Sequence, residues 1–517
     1  MKYLKFIVFL LMLGCMLTSC KTDSSITEQL SLIPGDATIV FEINGNEIFA
    51  KSGLNTPDDY KFINILKLAN ADIYSFFESL LKNSKEAGIS AQKILGYMSK
   101  LPDVTLSILV TDRTAFENWL KKANLPEPSQ EGEFSYISID GDANIAWNDN
   151  LMVISGTSTR EGITEHFKPK ADGLLAKNTD FKRFVSKNAD IRLWFRNSAL
   201  KNLLFFGLNN PDDESINNPF LGLELYANLS THSYLSFENG KIVGKSSLYP
   251  PEEIEKLKEK LPVFKSNFNT EILKNIPERS YFAFNMSIDF KEYVKIIRQN
   301  IESGYMYIPE LKRKGKELIE FFDSPELKIV LESLGGDLFV NIHGFNKSMF
   351  SYPMTSASFT VNSETAFNDI LKLIPKNLYS KQDGYYSMFI PIYFAYKDDI
   401  VLVTTDLDVI KTFTGAQKAK DTFVDNPISK LMTNKMVLYF DLNFSDYPEN
   451  IKMLLQNFMG DKYKLFTSAI EIYDHLYLSS DTQYNTEFNL QLKNKNVNAL
   501  KQILKNIDKT SSSLWMN

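Results

Sequence analysis

Cysteine is almost missing from this chain of 517 residues, occurring only as Cys15 and Cys20. No disulfide is therefore available to the body, which must hold together by burying apolar surface. The length and the 44% share of apolar residues allow that and suit two or more domains. No apolar run beyond the N-terminus is long enough to span a bilayer, so a soluble body is expected. An excess of positive charge is also lacking. Lys and Arg total 57 against 63 Asp and Glu, a net charge of −6. The densest basic run, Leu311-Lys312-Arg313-Lys314-Gly315-Lys316, is flanked by Glu310 and Glu317 and reads as a solvated helix face. Nucleic acid, which needs a clustered positive footprint, is not an expected partner.

Catalytic signatures are equally scarce. There is no G-x-S-x-G elbow and no H-E-x-x-H pair among the four histidines His166, His232, His343 and His475. Gly244-Lys245-Ser246 lacks the earlier glycine that a phosphate loop requires and sits in a strand–turn–strand pattern. Asp140-Gly141-Asp142 and Asp212-Asp213-Glu214 lack the alternating donors and distal Glu of a calcium loop, and read as turns and solvated loops. No catalytic residue, metal or cofactor is expected. A carboxylate pair of the kind that hydrolyses glycosides has no fixed spacing in sequence and is not excluded.

The most informative stretch lies at the front. Lys2 and Lys5 precede an apolar run, Phe6 to Met16, too short to cross a membrane and ending in Leu17-Thr18-Ser19-Cys20. Residues 1–19 read as a signal peptide. The Leu-Thr-Ser-Cys end resembles the lipobox of bacterial lipoproteins, in which the cysteine is acylated and becomes the mature N-terminus. That implies Cys20 as the lipidated residue, several acyl chains for stable anchoring, and a membrane partner through lipid. Lys21, not Asp, follows the cysteine, which favours the outer membrane and leaves its two faces open. Residues 20–30 read as a polar tether.

Residues 31–262 read as a first α+β copy. Strands are expected at Thr38 to Ile43, Val104 to Val110, Phe134 to Ile139, Ala143 to Trp147, Leu151 to Ser155, Ile191 to Phe195, Tyr234 to Phe237 and Ile242 to Leu248. Asn44-Gly45, Asn148-Asp149-Asn150 and Asn239-Gly240 read as turns. Residues 59–100 read as mainly helical, Thr114 to Ala123 and Pro251 to Leu261 as helices. The order then recurs. Ile276-Pro277 repeats Ile33-Pro34, Thr365-Ala366-Phe367 repeats Thr114-Ala115-Phe116, Ala395-Tyr396 repeats Ala146-Trp147, Tyr439-Phe440 repeats Trp194-Phe195, and His475 to Ser479 repeats His232 to Ser236. A second copy is expected over 270–510, after a break in Pro262 to Asn269, with a last helix at Val497 to Ile507 and a frayed tail from Asp508. Each copy should be a mainly antiparallel sheet with helices packed on one face.

A lipobox, a polar tether and an opening Ile33-Pro34-Gly35-Asp36-Ala37 before a long α+β body together resemble the Bacteroidota lipoprotein family named for domain of unknown function 4836. The resemblance implies an envelope lipoprotein and brings no reaction, ligand or catalytic residue with it.

Four residues stand out as binding candidates. His232 and His475 recur in the two copies, each entering an apolar strand, where a structural role is the plainer reading. Trp147 and Tyr396 recur as aromatics of changed type, which suits volume filling in a core over stacking on sugars. The expected function is a non-enzymatic binding or scaffold module with an envelope protein or polymer as partner. The alternatives are a carbohydrate- or peptidoglycan-active hydrolase and, less favoured, a carrier with a large apolar cavity inside one copy.

Overall fold

The computed structural model describes residues 29–54, 60, 87–99, 104–122, 126–139, 143–156, 160–196, 230–249, 264–265, 267–302, 317, 319–346, 352–417, 421–482 and 484–515. The signal peptide, Cys20, nearly all of the tether, the helix expected at 251–261, both acidic clusters and the basic run 311–316 lie outside them. Among the described residues no helix is long and apolar enough to cross a membrane.

The fold is α+β, and the chain divides into two compact units. The first comprises 1–218, 226–249 and 492–517; the second comprises 219–225 and 250–491. In chain order the first unit contains β1 (Ile39–Ile43), α1 (Gly45–Ser52), β2 (Ile89–Met98), β3 (Val104–Val110), α2 (Arg113–Lys122), β4 (Ser129–Glu131), β5 (Phe134–Ile139), β6 (Ala143–Trp147) and β7 (Leu151–Ser155). It continues with α3 (Arg160–Thr164), α4 (Leu174–Lys177), α5 (Thr179–Val185), β8 (Ile191–Arg196), β9 (Ser230–Glu238) and β10 (Lys241–Tyr249). The second unit contains β11 (Phe282–Ser287), α6 (Phe290–Glu302), α7 (Pro325–Ser333), β12 (Leu334–Phe345), β13 (Pro353–Val361), α8 (Glu364–Leu373), β14 (Tyr379–Lys381), β15 (Tyr386–Met388), β16 (Tyr393–Lys397) and β17 (Ile400–Thr404). After these come α9 (Leu407–Thr414), β18 (Met436–Asp441), α10 (Glu449–Met459), α11 (Lys462–Ile470), β19 (Tyr473–Thr482) and β20 (Asn485–Leu492). The last helix, α12 (Ala499–Trp515), returns to the first unit.

Strand order is the same in both units. In the first it runs β4-β5-β6-β7-β3-β2-β1-β8-β9-β10, every neighbour antiparallel. In the second it runs β14-β15-β16-β17-β13-β12-β11-β18-β19-β20. Register puts Ala146-Trp147 and Ala395-Tyr396 at matching positions, and likewise Trp194-Phe195 and Tyr439-Phe440. The growth in offset between the units falls in the β12–β13 hairpin, where β12 runs on to pair Phe345 with Pro353.

Helices reach both faces of each sheet, not one. Ala146 meets Ile163 of α3, while its neighbour Trp147, pointing the opposite way, meets Phe116 of α2. In the second unit Ala395 packs with Val409 and Ile410 of α9, and Tyr396 stacks on Phe367 of α8. The central strands are apolar on both sides, so each face needs a cover.

Three local expectations are corrected. Residues 89–98 are the strand β2, not helix; it lies between β1 and β3, and Ile94, Leu95 and Tyr97 are all buried. Asn44 is the N-cap of α1, its side chain accepting from Glu47 N at 3.3 Å, so the turn signal opens a helix. α12 continues unbroken past Asp508 to Trp515. It also clusters with the first unit instead of the second: Asn498 Nδ2 donates to Phe237 O at 2.9 Å, and the Lys501 side chain lies against Gly53.

Candidate functional site

The Ile-Pro opening is clasped the same way in each unit. Ile33 is buried, and its carbonyl accepts from Leu174 N at 3.3 Å; Ile276 is buried, and its carbonyl accepts from Phe423 N at 2.8 Å. The approach in the first unit is close enough to require glycine. A Cβ on Gly35 would stand 2.3 Å from Asp172 O, and one on Gly173 would stand 2.6 Å from Ile33 O. Beside this clasp opens a cleft of about 660 Å³ lined by Asp36, Asp172, Lys177 and Arg196, with Pro34 to Gly35 as its floor. Arg196 Nη2 donates to Gly35 O at 2.6 Å, and its guanidinium lies 5.9 Å from the Trp194 ring. Asp36 accepts from Ser99 Oγ at 3.2 Å. Cations and carboxylates are mixed, which suits a polar ligand of no strong net charge.

The second unit reverses the charges. Phe195 pairs with Ile39 as Phe440 pairs with Phe282, so Asp441 stands where Arg196 does and Arg279 where Asp36 does. Here they meet: Arg279 Nη2 is 3.1 Å from Asp441 Oδ2, and the guanidinium lies 4.5 Å over Tyr281. Burial pushes the Asp441 carboxyl above its usual range; Asn443 N–H and Arg279 oppose this, and Asp446 and Asp474 add to it. Among the described residues no group of three or more His, Cys, Asp or Glu is placed to hold a metal ion.

The four sequence candidates fall at separate places. His232 faces Trp194 across β8–β9 and is wholly buried, stacked 4.0 Å from Tyr249 and edge-on to Phe184 at 5.6 Å. Neither of its ring nitrogens has a hydrogen-bond partner among the described residues. Burial, with Arg183 adding to it, pushes its pKa down to about 3. His475 is partly exposed, faces Asp441, and holds Nδ1 3.4 Å from Asp474 Oδ2. The two histidines are not counterparts. Trp194 faces His232, whereas Tyr439 faces Tyr477, so Tyr477 takes the place of His232. The repeated His-x-Tyr-Leu-Ser string is two residues out of register, a slip that keeps every side chain on its face.

Trp147 is fully buried, 5.3 Å edge-on to Phe116, with Nε1 donating to Glu117 Oε1 at 3.1 Å. Burial raises the Glu117 pKa, but Arg113, Trp147 and Ser135 outweigh it and hold the carboxyl below its usual range. Tyr396 stacks on Phe367 at 5.3 Å, and its hydroxyl donates to Asp399 Oδ1 at 2.8 Å. Both aromatics pack against the helix on their face of the sheet.

Sequence reasoning missed an apolar end of the second unit. Phe389 is 102% exposed and Ile390 is exposed beside it in the β15–β16 connection; Phe458 is 88% exposed on α10, with Met453 and Leu454. The register puts both segments at one end of the sheet, with β17, β13, β12 and β11 between the strands that carry them. Tyr393 faces Thr404, Thr404 faces Ser356, and β13 turns into β12 at that same end, where Ile342, Phe282 and Phe440 follow one another. Asn450 of α10 donates to Asn346 O at 3.3 Å, holding the helix start by the β12–β13 connection. Behind α10 an aromatic group braces the region, with Phe444 5.3 Å from Tyr447 and 5.6 Å from Phe466, and Tyr281 4.7 Å from Tyr447. The sequence signal was the run Phe389-Ile390-Pro391-Ile392, apolar but bent by proline away from any strand.

No curated protein matches the chain. Among solved structures, crystal form IV of TP0453 aligns at 11% identity and a TM-score of 0.27, covering 42% of this chain and 79% of that one. Crystal form III aligns at 10% and 0.27, covering 46% and 87%. A likeness that slight carries no argument. The profile of the family described as "Domain of unknown function (DUF4836)" matches residues 30–500, most of the length. The chain belongs to that family.

Proposed function

We propose that the chain is a lipid-anchored envelope protein of a Bacteroidota bacterium, held at the outer membrane by acylated Cys20, and that it works by contact and not by catalysis. One α+β unit is used twice in this reading, the shared strand order supporting a duplication. The observation that carries the contact reading is the apolar end of the second unit, where Phe389, Ile390, Met453, Leu454 and Phe458 face solvent. Large apolar side chains exposed on two segments at one end of a sheet mark candidate partner contacts. The partner is an envelope protein or polymer.

Two measurements test the two halves. Cys20→Ala should abolish labelling by an alkyne-tagged palmitate and release the protein from the membrane fraction; unchanged labelling removes the anchor. Affinity capture from envelopes should recover a partner with the parent chain and lose it with a Phe389→Ser/Phe458→Ser variant. Equal recovery with both removes the contact surface.

A second reading, a carbohydrate- or peptidoglycan-active hydrolase with a carboxylate pair, draws on Asp441, whose raised pKa and neighbours Asp446 and Asp474 suit a proton donor. It expects sugar release from envelope polymers by the parent and none by Asp441→Asn; no release by the parent ends it.

A further inference from the structure

Beneath α8 the second unit contains a cavity of about 130 Å³ whose wall is wholly apolar. Ile370 of α8 lies over it, Val401, Val403 and Phe394 form the sheet side, and Met388 and Ile392 stand at the mouth. The first unit carries a larger side chain at the equivalent helix position. Phe116 and Phe367 are counterparts on α2 and α8; three residues further on, the first unit has Trp119 and the second has Ile370. Trp119 is buried and stacks on Phe116 at 5.9 Å. Met152 faces Trp147 as Val401 faces Tyr396, so two further positions are smaller in the second unit. Phe394 for Ile145 and Phe359 for Ile108 run the other way, and the cavity remains.

The mouth has an apolar lip. Met388 N donates to Ile392 O at 2.9 Å, closing a turn that carries the fully exposed Phe389 and the half-exposed Ile390 between the two mouth residues. A void lined only by Leu, Ile and Phe, of roughly 150 Å³, stays dry and accepts benzene or xenon; this one is slightly smaller and has room for only the last few carbons of a hydrocarbon. A wall without donors or acceptors rejects a polar group. A ligand reaching it must therefore put an apolar end inside and keep its polar end outside the lip.

We propose that this cavity binds the terminal hydrocarbon of an acyl chain, with the head group left in solvent and Phe389 and Ile390 covering the chain at the entrance. The proposal deepens the contact reading by naming a ligand class. It rests on that reading only through the shared lip and is independent of Cys20, so either can fail alone.

The test uses residues 21–517, which contain every described residue, with methionine methyl groups labelled with carbon-13. Sodium decanoate, below its micelle concentration, should shift the Met388 methyl resonance saturably. Phosphatidylcholine vesicles in a parallel arm distinguish a phospholipid tail from a free fatty acid, and a saturable shift in either arm supports the site. Ile370→Trp, which installs the residue of the first unit, should weaken decanoate binding at least about tenfold. Should that variant not fold, Val401→Met serves with the same expectation. No saturable shift in either arm, a shift equally strong in the filled variant, or one that follows protein concentration instead of ligand overturns the proposal.

Discussion

Lowering the pH from 7 to 4 is expected to cost the parent protein about 3 kcal/mol more stability than a His232→Phe variant, from an unfolded pKa near 6.5 and a folded one near 3. The sign follows from proton counting. Between pH 6.5 and 3 the unfolded chain protonates this imidazole while the folded protein keeps it neutral. The unfolded state therefore binds more protons, and stability falls as pH falls through that window. The cause is geometric. His232 lies between Tyr249 and Phe184 with no acceptor for an added N–H and with Arg183 nearby. Phenylalanine keeps the ring and removes the proton site. Urea midpoints by circular dichroism at both pH values check this, and the comparison between variants cancels carboxylates such as Glu117 that also respond to acid. Parallel pH profiles for parent and variant would sink the expectation.

Glu42→Ala is expected to destabilise the first unit by about 3–5 kcal/mol, the cost of leaving a buried charge without its counter-ion. Glu42 of β1 faces Arg192 of β8 directly, and both side chains are buried. The guanidinium donates to the Glu42 carboxylate and, through Nη1, to Val185 O at 2.7 Å and Lys187 O at 2.6 Å. Lys93 Nζ lies 3.6 Å from the same carboxylate. Removing Glu42 strands two cations, one of them inside the sheet. The pair is not thereby a net gain over apolar residues, because desolvating both charges opposes their attraction. A Glu42→Met/Arg192→Met double variant should therefore lose less than Glu42→Ala alone, and a urea series on the three proteins reads this non-additivity. A double variant less stable than the single one would contradict it.

Much of the sheet was legible from local pattern. Val104 to Val110, the meander Phe134 to Ser155 and the hairpin across Asn239-Gly240 alternate or turn in ways that allow few other structures. The repeated Ile-Pro pairs make the same backbone clasp, and the Ala-aromatic pairs sit in equivalent registers. β2 was illegible for a related reason: a central strand buried on both faces shows no alternation, and the helical spacing upstream ran into it. The sites were harder still. The cavity under α8 exists because Ile370 and Val401 stand where the first unit has Trp119 and Met152, a contrast visible only once the register is known. His232 and His475 looked like partners because a five-residue string outweighed the strand pairing that separates them.

The return of α12 to the first unit bears on how the protein is made. Residues 250–491 lie between the 226–249 and 492–517 parts of that unit in sequence, so a ribosome releases the entire second unit before α12 appears. The second unit, 219–225 and 250–491, has its whole sequence available first; the earlier-synthesised one must wait, with α1 and the end of β9 uncovered, for the last residues to emerge. Domains usually mature in the order of synthesis; here the unit begun first is the last to have its whole sequence.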